Sequence, residues 1–462
     1  MSVAVEEGTR PTIGGLDPER LAEEFGTPLY VYDLDVVDRQ VAELRSALPT
    51  VFDVAFAGKA NPSLGVVAHL GALGLGADVA SGGELATVIR AGIAPSGIVF
   101  TGPGKRDEEL EAAVVAGIRA VTVESLGELD RLEQIAAGLG IRTSVLLRLA
   151  TAAALPDTDI PIGGENGGKF GLDSDDLPEA ARRAVRSPHL RLLGLHAFGA
   201  SNVLDADAIA DHVGQTVSEA GRMAARIRAE LDPDFQLELV DAGGGLGIPY
   251  ADGDPELDLD RLGRRLADLT AAWAVNDLTR TTHVLLEPGR FLVGPAGTYI
   301  TRVVDRKTVG GRHIVIVDGG IHHLVRPALV GRPHRIVSLS GAADEAESIM
   351  VAGPLCSGLD VLAENAPVNP AVGDLLAVRD TGAYGYTESM PLFLSHPLPA
   401  EVAISGGRIS LLRPRIEPAM WLETQRLPAW SSRLAGASNP SVPTLGPGSS
   451  VAVSVGQRPS GG

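Results

Sequence analysis

Short apolar runs recur along the first two thirds of the chain and alternate with longer, Ala-rich segments of helical periodicity. Between residues 51 and 290 there are eight such runs: FDVAFAG, LGADVAS, GIVFTG, AVTVES, TSVLLRL, LLGLHAF, LELVDAGGG and HVLLEPG. Amphipathic segments such as KRDEELEAAVVAG separate them. Repeated units of a buried strand followed by a helix are typical of a parallel sheet closed into a barrel. The sequence therefore predicts an α/β fold with a (β/α)₈ (TIM) barrel over residues 36–290.

The pattern changes after residue 290. Helical periodicity disappears, and alternating or β-branched runs follow, among them TYITRVVDRK, RHIVIVDGG, SIMVAG, DLLAVRD and AEVAIS. They predict a C-terminal antiparallel β domain over residues 291–415. The run TPLYVYD also predicts a strand, and we expect the N-terminal segment, residues 1–35, to join this β domain. Residues 429–462 are rich in Ser, Gly and Pro, so we expect a disordered tail.

Composition narrows the class of protein. A chain of 462 residues supports two domains. It has no apolar run long enough to span a membrane, and its N-terminus lacks the layout of a signal peptide, so we expect a cytoplasmic protein. The net charge of −19 disfavours binding to nucleic acid or to an anionic membrane. A single cysteine, Cys356, excludes a disulfide framework and a cysteine-rich metal site, leaving a buried apolar side chain or a reactive thiol.

Chemically capable residues follow the predicted barrel strands. The active site of such a barrel lies at the C-terminal ends of its strands. Lys59, in AFAGKAN, follows the first strand; burial would disfavour its ammonium form and leave an amine able to form a Schiff base with a carbonyl. The alternative is a solvent-facing or salt-bridged lysine. The other strand ends carry Asp78, Ser81, Glu124, Arg148, His196, three glycines and Glu287.

The glycines, the carboxylate and the histidine add further groups. The run DAGGGLGIPY contains Gly243, Gly244 and Gly245. Three glycines let backbone N–H groups approach a phosphate, although a tight turn would also use glycine. Glu287 needs a cationic partner, either Arg290 or a protonated ring nitrogen. His196 is either a core residue or an imidazole stacked on a flat ligand. An amine, a phosphate nest, a carboxylate and an imidazole together match the needs of pyridoxal 5'-phosphate.

Ordered motifs then reveal a family resemblance between residues 20 and 415. They are AGKANPSLGVVAHLGALGLGADVASGGEL, FTGPGK, KFGLD, LHAFGASN, VDAGGGLGIPY, LEPGR, AGPLCSGLDVL and TGAYG. With these motifs the chain resembles the fold-type III (alanine-racemase-fold) pyridoxal-phosphate decarboxylases, which include diaminopimelate, ornithine and arginine decarboxylases. The resemblance implies a lyase that releases CO₂ from an amino acid.

The resemblance also implies residue roles. Lys59 would carry the cofactor, and His196 would stack on its ring. Glu287 would pair with the ring nitrogen, and Arg290 would contact phosphate or a substrate carboxylate. The phosphate would be held by Ser201, Gly243, Gly244, Gly245 and Tyr384. Cys356 would be supplied across the interface of a homodimer with shared active sites and would handle the proton returned to the α-carbon.

The substrate is indicated by one departure from the family pattern. Family members that act on diamino acids commonly place an acidic residue directly after the cysteine, where this chain has Ser357. A hydroxyl cannot form the same ion pair with a distal ammonium, so diaminopimelate and ornithine become less favoured. We therefore assign Ser357 to the substrate pocket, together with Arg290 and Tyr384.

A closer resemblance lies in FTGPGKRDEELE, IVDGGIHHLVRP and GAYGYTESMPLFLSHPLPAEV. These segments resemble the secondary-metabolism branch that decarboxylates a glutamyl group thioesterified to an acyl carrier protein, and the neutral thioester suits Ser357. The basic run RPALVGRPHR, residues 326–335, would receive the acidic carrier protein or would be a solvated loop. The alternatives are a diaminopimelate or other diamino-acid decarboxylase, a racemase, and a non-catalytic regulator.

Overall fold

The fold is defined by a computed structural model that describes residues 3–4, 11–150, 168–339 and 348–426. The tail predicted over residues 429–462 lies outside the described residues. Within those ranges, no helix is both long and apolar enough to cross a membrane.

The eight apolar runs form a closed parallel barrel. Three strands precede it: β1 Val3–Ala4, β2 Thr12–Ile13 and β3 Leu29–Asp33. The barrel strands β4 to β11 are Phe52–Ala57, Gly76–Val79, Ile98–Phe100, Ala120–Val123, Thr143–Arg148, Leu190–His196, Leu239–Asp241 and His283–Leu286. Each strand pairs in parallel with the next, and β11 pairs with β4 to close the barrel. The predicted (β/α)₈ barrel is confirmed.

Burial on both faces of the strands explains their continuous apolar character. Side chains from seven of the strands fill the barrel interior as a separate cluster: Ala55, Val99, Ala120, Leu146, Leu193, Leu239 and Leu285. A larger cluster lies between the strands and the surrounding helices and continues into the sheet, where it includes Tyr30 and Tyr299. Parallel strands covered on both sides lose the apolar–polar alternation of half-exposed strands.

Helices follow the barrel strands, and two of them begin at serine caps just after a strand. Before the barrel lie α1 Pro18–Phe25 and α2 Leu34–Ala47. Helices α3 to α9 are Leu64–Ala72, Gly82–Arg90, Asp107–Ala116, Leu126–Leu139, Leu177–Arg186, Ala206–Glu230 and Leu259–Ala274. Ser81 caps α4 by accepting a hydrogen bond from the Glu84 N–H, and Ser125 caps α6 through the Glu128 N–H. Ser81, one of the strand-end candidates, therefore has a structural role.

The second part of the fold is a mixed sheet. Its strands β12 to β19 are Gly297–Val309, Arg312–Val317, Ile336–Ser338, Ser348–Ala352, Val361–Pro367, Leu375–Arg379, Ala400–Ser405 and Arg408–Arg413. Strand β3 lies between β12 and β18. The prediction of an antiparallel domain needs one correction, because β3–β18 and β13–β15 are parallel pairs. Periodicity alone does not define strand direction, and β3 enters this sheet from the N-terminal end of the chain.

Contacts between sheet and barrel bring a sheet loop to the mouth of the barrel. Short helices α10 Arg290–Val293, α11 Arg326–Val330 and α12 Pro418–Leu422 accompany the sheet. After β17 the chain turns so that the Tyr384 N–H donates to the Ala60 carbonyl at 2.8 Å. Asn61 Nδ2 donates to the Gly382 carbonyl at 2.9 Å. These bonds hold the GAYG segment against the turn that carries Lys59.

Candidate active site

Lys59 lies in a single 3₁₀ turn, Gly58–Ala60, directly after β4. Its Nζ lies 3.5 Å from Asp78 Oδ2 and 5.6 Å from the centre of the Phe198 ring. Burial would lower the pKa of Lys59, but the carboxylates of Asp78 and Glu287 outweigh it and raise this pKa above its ordinary value. The expectation that desolvation would favour the neutral amine is therefore wrong, because carboxylates on other strands stabilise the ammonium.

Asp78 is the carboxylate nearest to Lys59. It ends β5 fully buried, and Thr101 Oγ1 donates to its Oδ1 at 2.6 Å. Burial and the charge of Glu287 raise the pKa of Asp78 to about 7, although Lys59 opposes the shift. This carboxylate can therefore take up or release a proton beside Lys59 near neutral pH.

Three ionisable side chains meet on the neighbouring strands. Nε2 of His196 lies 3.7 Å from Oε2 of Glu287, and one ligand atom each from His196, Asp241 and Glu287 all lie within 4.8 Å of one another. Burial lowers the pKa of His196, so its imidazole is neutral. Burial would raise the pKa of Glu287, but His196, Lys59 and Asp241 bring it to about 2. The ionised Glu287 has the charge that a protonated ring nitrogen requires.

Buried polar atoms without protein partners test whether pyridoxal phosphate fits here. Both ring nitrogens of His196 and Oε1 of Glu287 have no hydrogen-bond partner among the described residues. Leaving such groups unpaired costs about 1–3 kcal/mol each. A flat aromatic ring can pack on the imidazole face of His196, and a protonated ring nitrogen beside Glu287 would give this buried carboxylate a cationic partner. The residues present therefore fit the cofactor.

The glycine turn after β10 suits an anion. Gly243 and Gly245 have φ of +68° and +111°, which favour glycine. A Cβ on Gly244 would lie 2.4 Å from the Glu287 carbonyl, and one on Gly245 would lie 2.7 Å from the Ala200 carbonyl. The chain's own close packing therefore requires the glycines, as the tight-turn alternative supposes. Within the described chain the N–H groups of Gly244 and Gly245 donate to no protein acceptor, so they are also available to a phosphate.

Arg290 connects the remaining predicted residues. Its Nη1 donates to Tyr250 Oη at 2.6 Å, its Nη2 donates to Ser201 Oγ at 3.2 Å, and its guanidinium lies 4.7 Å from the Tyr384 ring. Glu287 lies beside His196, with Oε2 3.7 Å from Nε2, but this neutral imidazole does not supply the cationic partner expected from the sequence. Tyr384 has a φ of +53°, a strained conformation for a non-glycine residue and one that often marks a functional site. Sequence reasoning missed Tyr250, although it ends the run DAGGGLGIPY.

The basic run over residues 326–335 is mostly interior. Arg326 is 2% exposed, and its guanidinium lies 3.7 Å from the centre of the Tyr250 ring. His334 is buried against the same ring, and Arg335 pairs with Asp380 at 2.7 Å. Arg332 alone is exposed among the charged residues of this run, all of which the structure describes. The expected surface patch for a carrier protein is therefore wrong, because guanidinium groups that stack on aromatic rings are easily buried.

Cys356 and Ser357 lie on the loop between β15 and β16. Cys356 is exposed, so it is not a buried apolar side chain. Asp360 shapes this loop, because its carboxylate accepts from the N–H groups of Ile321 and Leu355 at 2.8 and 2.7 Å. No hydrogen bond or ion pair within the described ranges joins the Cys356 or Ser357 side chain to the barrel mouth. A single chain therefore presents this loop outward.

Two further strand-end residues organise loops above the barrel. Oε1 of Glu124 accepts from Arg148 Nη1 and from the Gly102 N–H, both at 2.9 Å, and its Oε2 accepts from the Gly171 N–H at 3.1 Å. The Arg148 guanidinium lies 4.6 Å from the Phe170 ring. Glu124 therefore joins three strand ends and holds the segment KFGLD beside the mouth.

Fold and site together define an enzyme that binds pyridoxal phosphate in a (β/α)₈ barrel. Residues 34–294 match the family described as "Pyridoxal-dependent decarboxylase, pyridoxal binding domain". The chain belongs to this family, and it is a pyridoxal-phosphate-dependent amino-acid decarboxylase.

Relatives with different substrates are similar to this chain. A diaminopimelate decarboxylase of Neisseria meningitidis serogroup A is 35% identical over 405 residues, which cover 86% of this chain and 94% of that protein. An L-glutamyl-[BtrI acyl-carrier protein] decarboxylase of Niallia circulans is 33% identical over 404 residues, covering 85% and 92%. The crystal structure of diaminopimelate decarboxylase from M. jannaschii superposes with a TM-score of 0.84 at 29% identity, covering 93% and 98%.

Proposed function

We propose that this decarboxylase acts on an amino acid whose far end carries no positive charge, and that a glutamyl group thioesterified to a carrier protein is the substrate. The observation that carries the proposal is Ser357, an uncharged side chain directly after the exposed Cys356. The similarity to the Niallia circulans protein supports it, because that relative is named for a glutamyl carrier-protein substrate. The thioester end of such a substrate needs no carboxylate partner.

The barrel-mouth residues have complementary tasks in this proposal. When bound, pyridoxal phosphate supplies a conjugated ring that takes up the electron pair left by the departing CO₂. Lys59 Nζ would attach the cofactor, and its amine would exchange protons with Asp78. The ionised Glu287 would pair with the ring nitrogen, and the imidazole of His196 would pack on the ring. The phosphate would be held by Ser201, Gly243, Gly244, Gly245 and Tyr384, and Arg290 donates to Ser201 Oγ, which fixes its position.

Cys356 returns the proton to the α-carbon, and it does so from a second copy of the chain. The loop that carries Cys356 faces outward, and its neighbour Leu359 is 68% exposed. An outward-facing thiol and an exposed apolar side chain suit an interface better than a solvated surface. We propose a homodimer in which each Cys356 and Ser357 complete the partner's site.

Mixing two inactive variants tests the shared site. Lys59→Ala and Cys356→Ala should each be inactive alone. After the two proteins are mixed and their subunits exchange, CO₂ release should return, because one site of each mixed dimer contains both residues intact. Sedimentation should show a dimer in every sample. No recovery in mixed dimers confirmed by mass spectrometry would contradict a site shared between subunits.

A substrate screen tests the proposed reaction. CO₂ release is measured with free diaminopimelate, ornithine, lysine, arginine and glutamate, and with glutamyl-carrier protein. We expect the highest kcat/KM with the glutamyl carrier. Activity on diaminopimelate alone would overturn the proposal.

Replacing Ser357 with aspartate should move the preference toward diamino acids. The new carboxylate can pair with a distal ammonium, and a hydrogen bond to a charged group contributes about 1.5–3 kcal/mol, or roughly tenfold or more in relative kcat/KM. Steady-state kinetics with ornithine, diaminopimelate and glutamyl carrier give this ratio. Ser410→Asp, on the exposed edge strand β19, is the matched control and should leave it unchanged. An unchanged ratio in Ser357→Asp would show that this position does not contact the far end.

Diaminopimelate decarboxylation is the second candidate, and Glu388 favours it. This carboxylate is half-buried in the Tyr386–Glu388 turn that follows the GAYG segment. Burial raises the pKa of Glu388, and the charges of Arg290 and Arg326 oppose the shift, so it lies in the field of both arginines. A distal ammonium could pair with it. Glu388→Gln should then lower activity on diaminopimelate and spare the glutamyl carrier.

A further inference from the structure

Asp241 is a buried carboxyl group at the end of β10, directly before the glycine turn, and its exposure is 0%. Its Oδ1 accepts from the Gly243 N–H at 2.9 Å. Its Oδ2 has no donor among the described residues, and neither has Oε1 of the neighbouring Glu287. Two carboxyl groups therefore have one unsatisfied oxygen each in the same small space.

A single proton between the two carboxyl groups would satisfy both unpaired oxygens. Two buried carboxylates this close cannot both be ionised without strong repulsion. Neither nearby nitrogen group donates to Oδ2 of Asp241 within the described residues, because both ring nitrogens of His196 are without hydrogen-bond partners and Lys59 Nζ pairs with Asp78. Asp78 adds a further negative charge nearby. A proton on Asp241 would lower the total charge and convert an unpaired acceptor into a donor.

We infer that Asp241 is a positioning residue that keeps its proton and donates a hydrogen bond from Oδ2 to Oε1 of Glu287, while its Oδ1 holds the Gly243 N–H. The inference deepens the proposed cofactor site and rests on the pairing of Glu287 with the ring nitrogen. Burial and the charge of Glu287 raise the pKa of Asp241 well above its ordinary value, although the Gly243 N–H opposes the shift. Glu287 Oε2 remains available to the cofactor ring.

The arrangement couples two parts of the cofactor site. The carboxyl group of Asp241 fixes the beginning of the glycine turn through its bond with the Gly243 N–H. The same group fixes the orientation of the Glu287 carboxylate. The Glu287 N–H also donates to the Gly243 carbonyl at 2.8 Å, so the same two segments are joined a second time. Phosphate binding and ring-nitrogen pairing are thereby held at a fixed separation.

Infrared spectroscopy of the full-length enzyme tests the proton directly. Spectra are recorded without substrate at a pH above 7, where Asp78 is mainly ionised. The wild type should show the carbonyl stretch of a protonated carboxylic acid, and Asp241→Asn should lose it. Identical spectra would overturn the inference. Because no substrate is present, this result does not depend on which amino acid the enzyme uses.

Cofactor affinity gives the second readout. Asparagine can accept from the Gly243 N–H and donate to Glu287, so Asp241→Asn should keep the Kd for pyridoxal phosphate within about threefold of the wild type. Asp241→Val loses both bonds and should weaken binding about tenfold or more, the value of a lost hydrogen bond to a charged group. An Asn variant as weak as the Val variant would overturn the inference, because an ionised Asp241 would then be what the site requires.

Discussion

Lys59→Ala should lose decarboxylation by on the order of 10³-fold or more, which lies within the range of a positioned proton-transfer group. In the proposed site the amine at position 59 would both attach the cofactor and exchange protons with Asp78, whose Oδ2 lies 3.5 Å from Nζ. Alanine removes both capacities. CO₂ release under substrate saturation measures the loss, and the visible absorbance of the purified protein reports cofactor attachment.

Chemical trapping separates attachment from a merely structural effect. Borohydride treatment of the wild type should fix the cofactor on the peptide that contains Lys59, as mass spectrometry of a digest would show. Lys307→Ala, at an exposed position of β12, is the matched control and should retain colour, labelling and turnover. Labelling of another lysine in the wild type would show that the attachment site is misassigned.

The barrel could be predicted from the sequence because its strands are buried on both faces. Each strand is a short continuous apolar run, such as the one over Phe52–Ala57, and each run is followed by a helix of clear periodicity. The strand ends could also be predicted, since parallel strands in a barrel place their C-terminal residues around one mouth. The Lys59 turn, His196 and Glu287 lie at these ends as expected.

Charge states could not be predicted, because they depend on neighbours distant in sequence. The ammonium of Lys59 is stabilised by carboxylates on β5 and after β11, and no local pattern around residue 59 indicates them. The burial of Arg326 depends on Tyr250, a residue 76 positions earlier in the chain. Asp241 was not among the predicted site residues, because a single Asp before a glycine turn most simply caps that turn, as its Oδ1 does.

Glu287→Gln should lower kcat by about 10²- to 10³-fold, the usual effect of removing one preorganised charge from a reacting centre. In the proposed site the ionised carboxylate would keep the ring nitrogen protonated, and a protonated ring withdraws electrons more strongly. Glutamine has nearly the same shape, so cofactor attachment to Lys59 should persist. Steady-state kinetics and the visible spectrum of the same sample separate lost chemistry from lost cofactor.

A second substitution, at Asp241, extends the prediction for Glu287→Gln. Removing the charge of Glu287 removes one cause of the raised pKa of Asp241, so part of the negative charge can move to Asp241 in the Glu287→Gln enzyme. In the double variant Glu287→Gln/Asp241→Asn neither side chain can carry a negative charge, so this enzyme should be slower than Glu287→Gln alone. Asp53→Asn, at the opposite end of the barrel, affects only the partly exposed contacts of Asp53 with Arg119 and His283 and should keep full turnover. Wild-type kcat in Glu287→Gln would show that the ring nitrogen does not depend on this carboxylate.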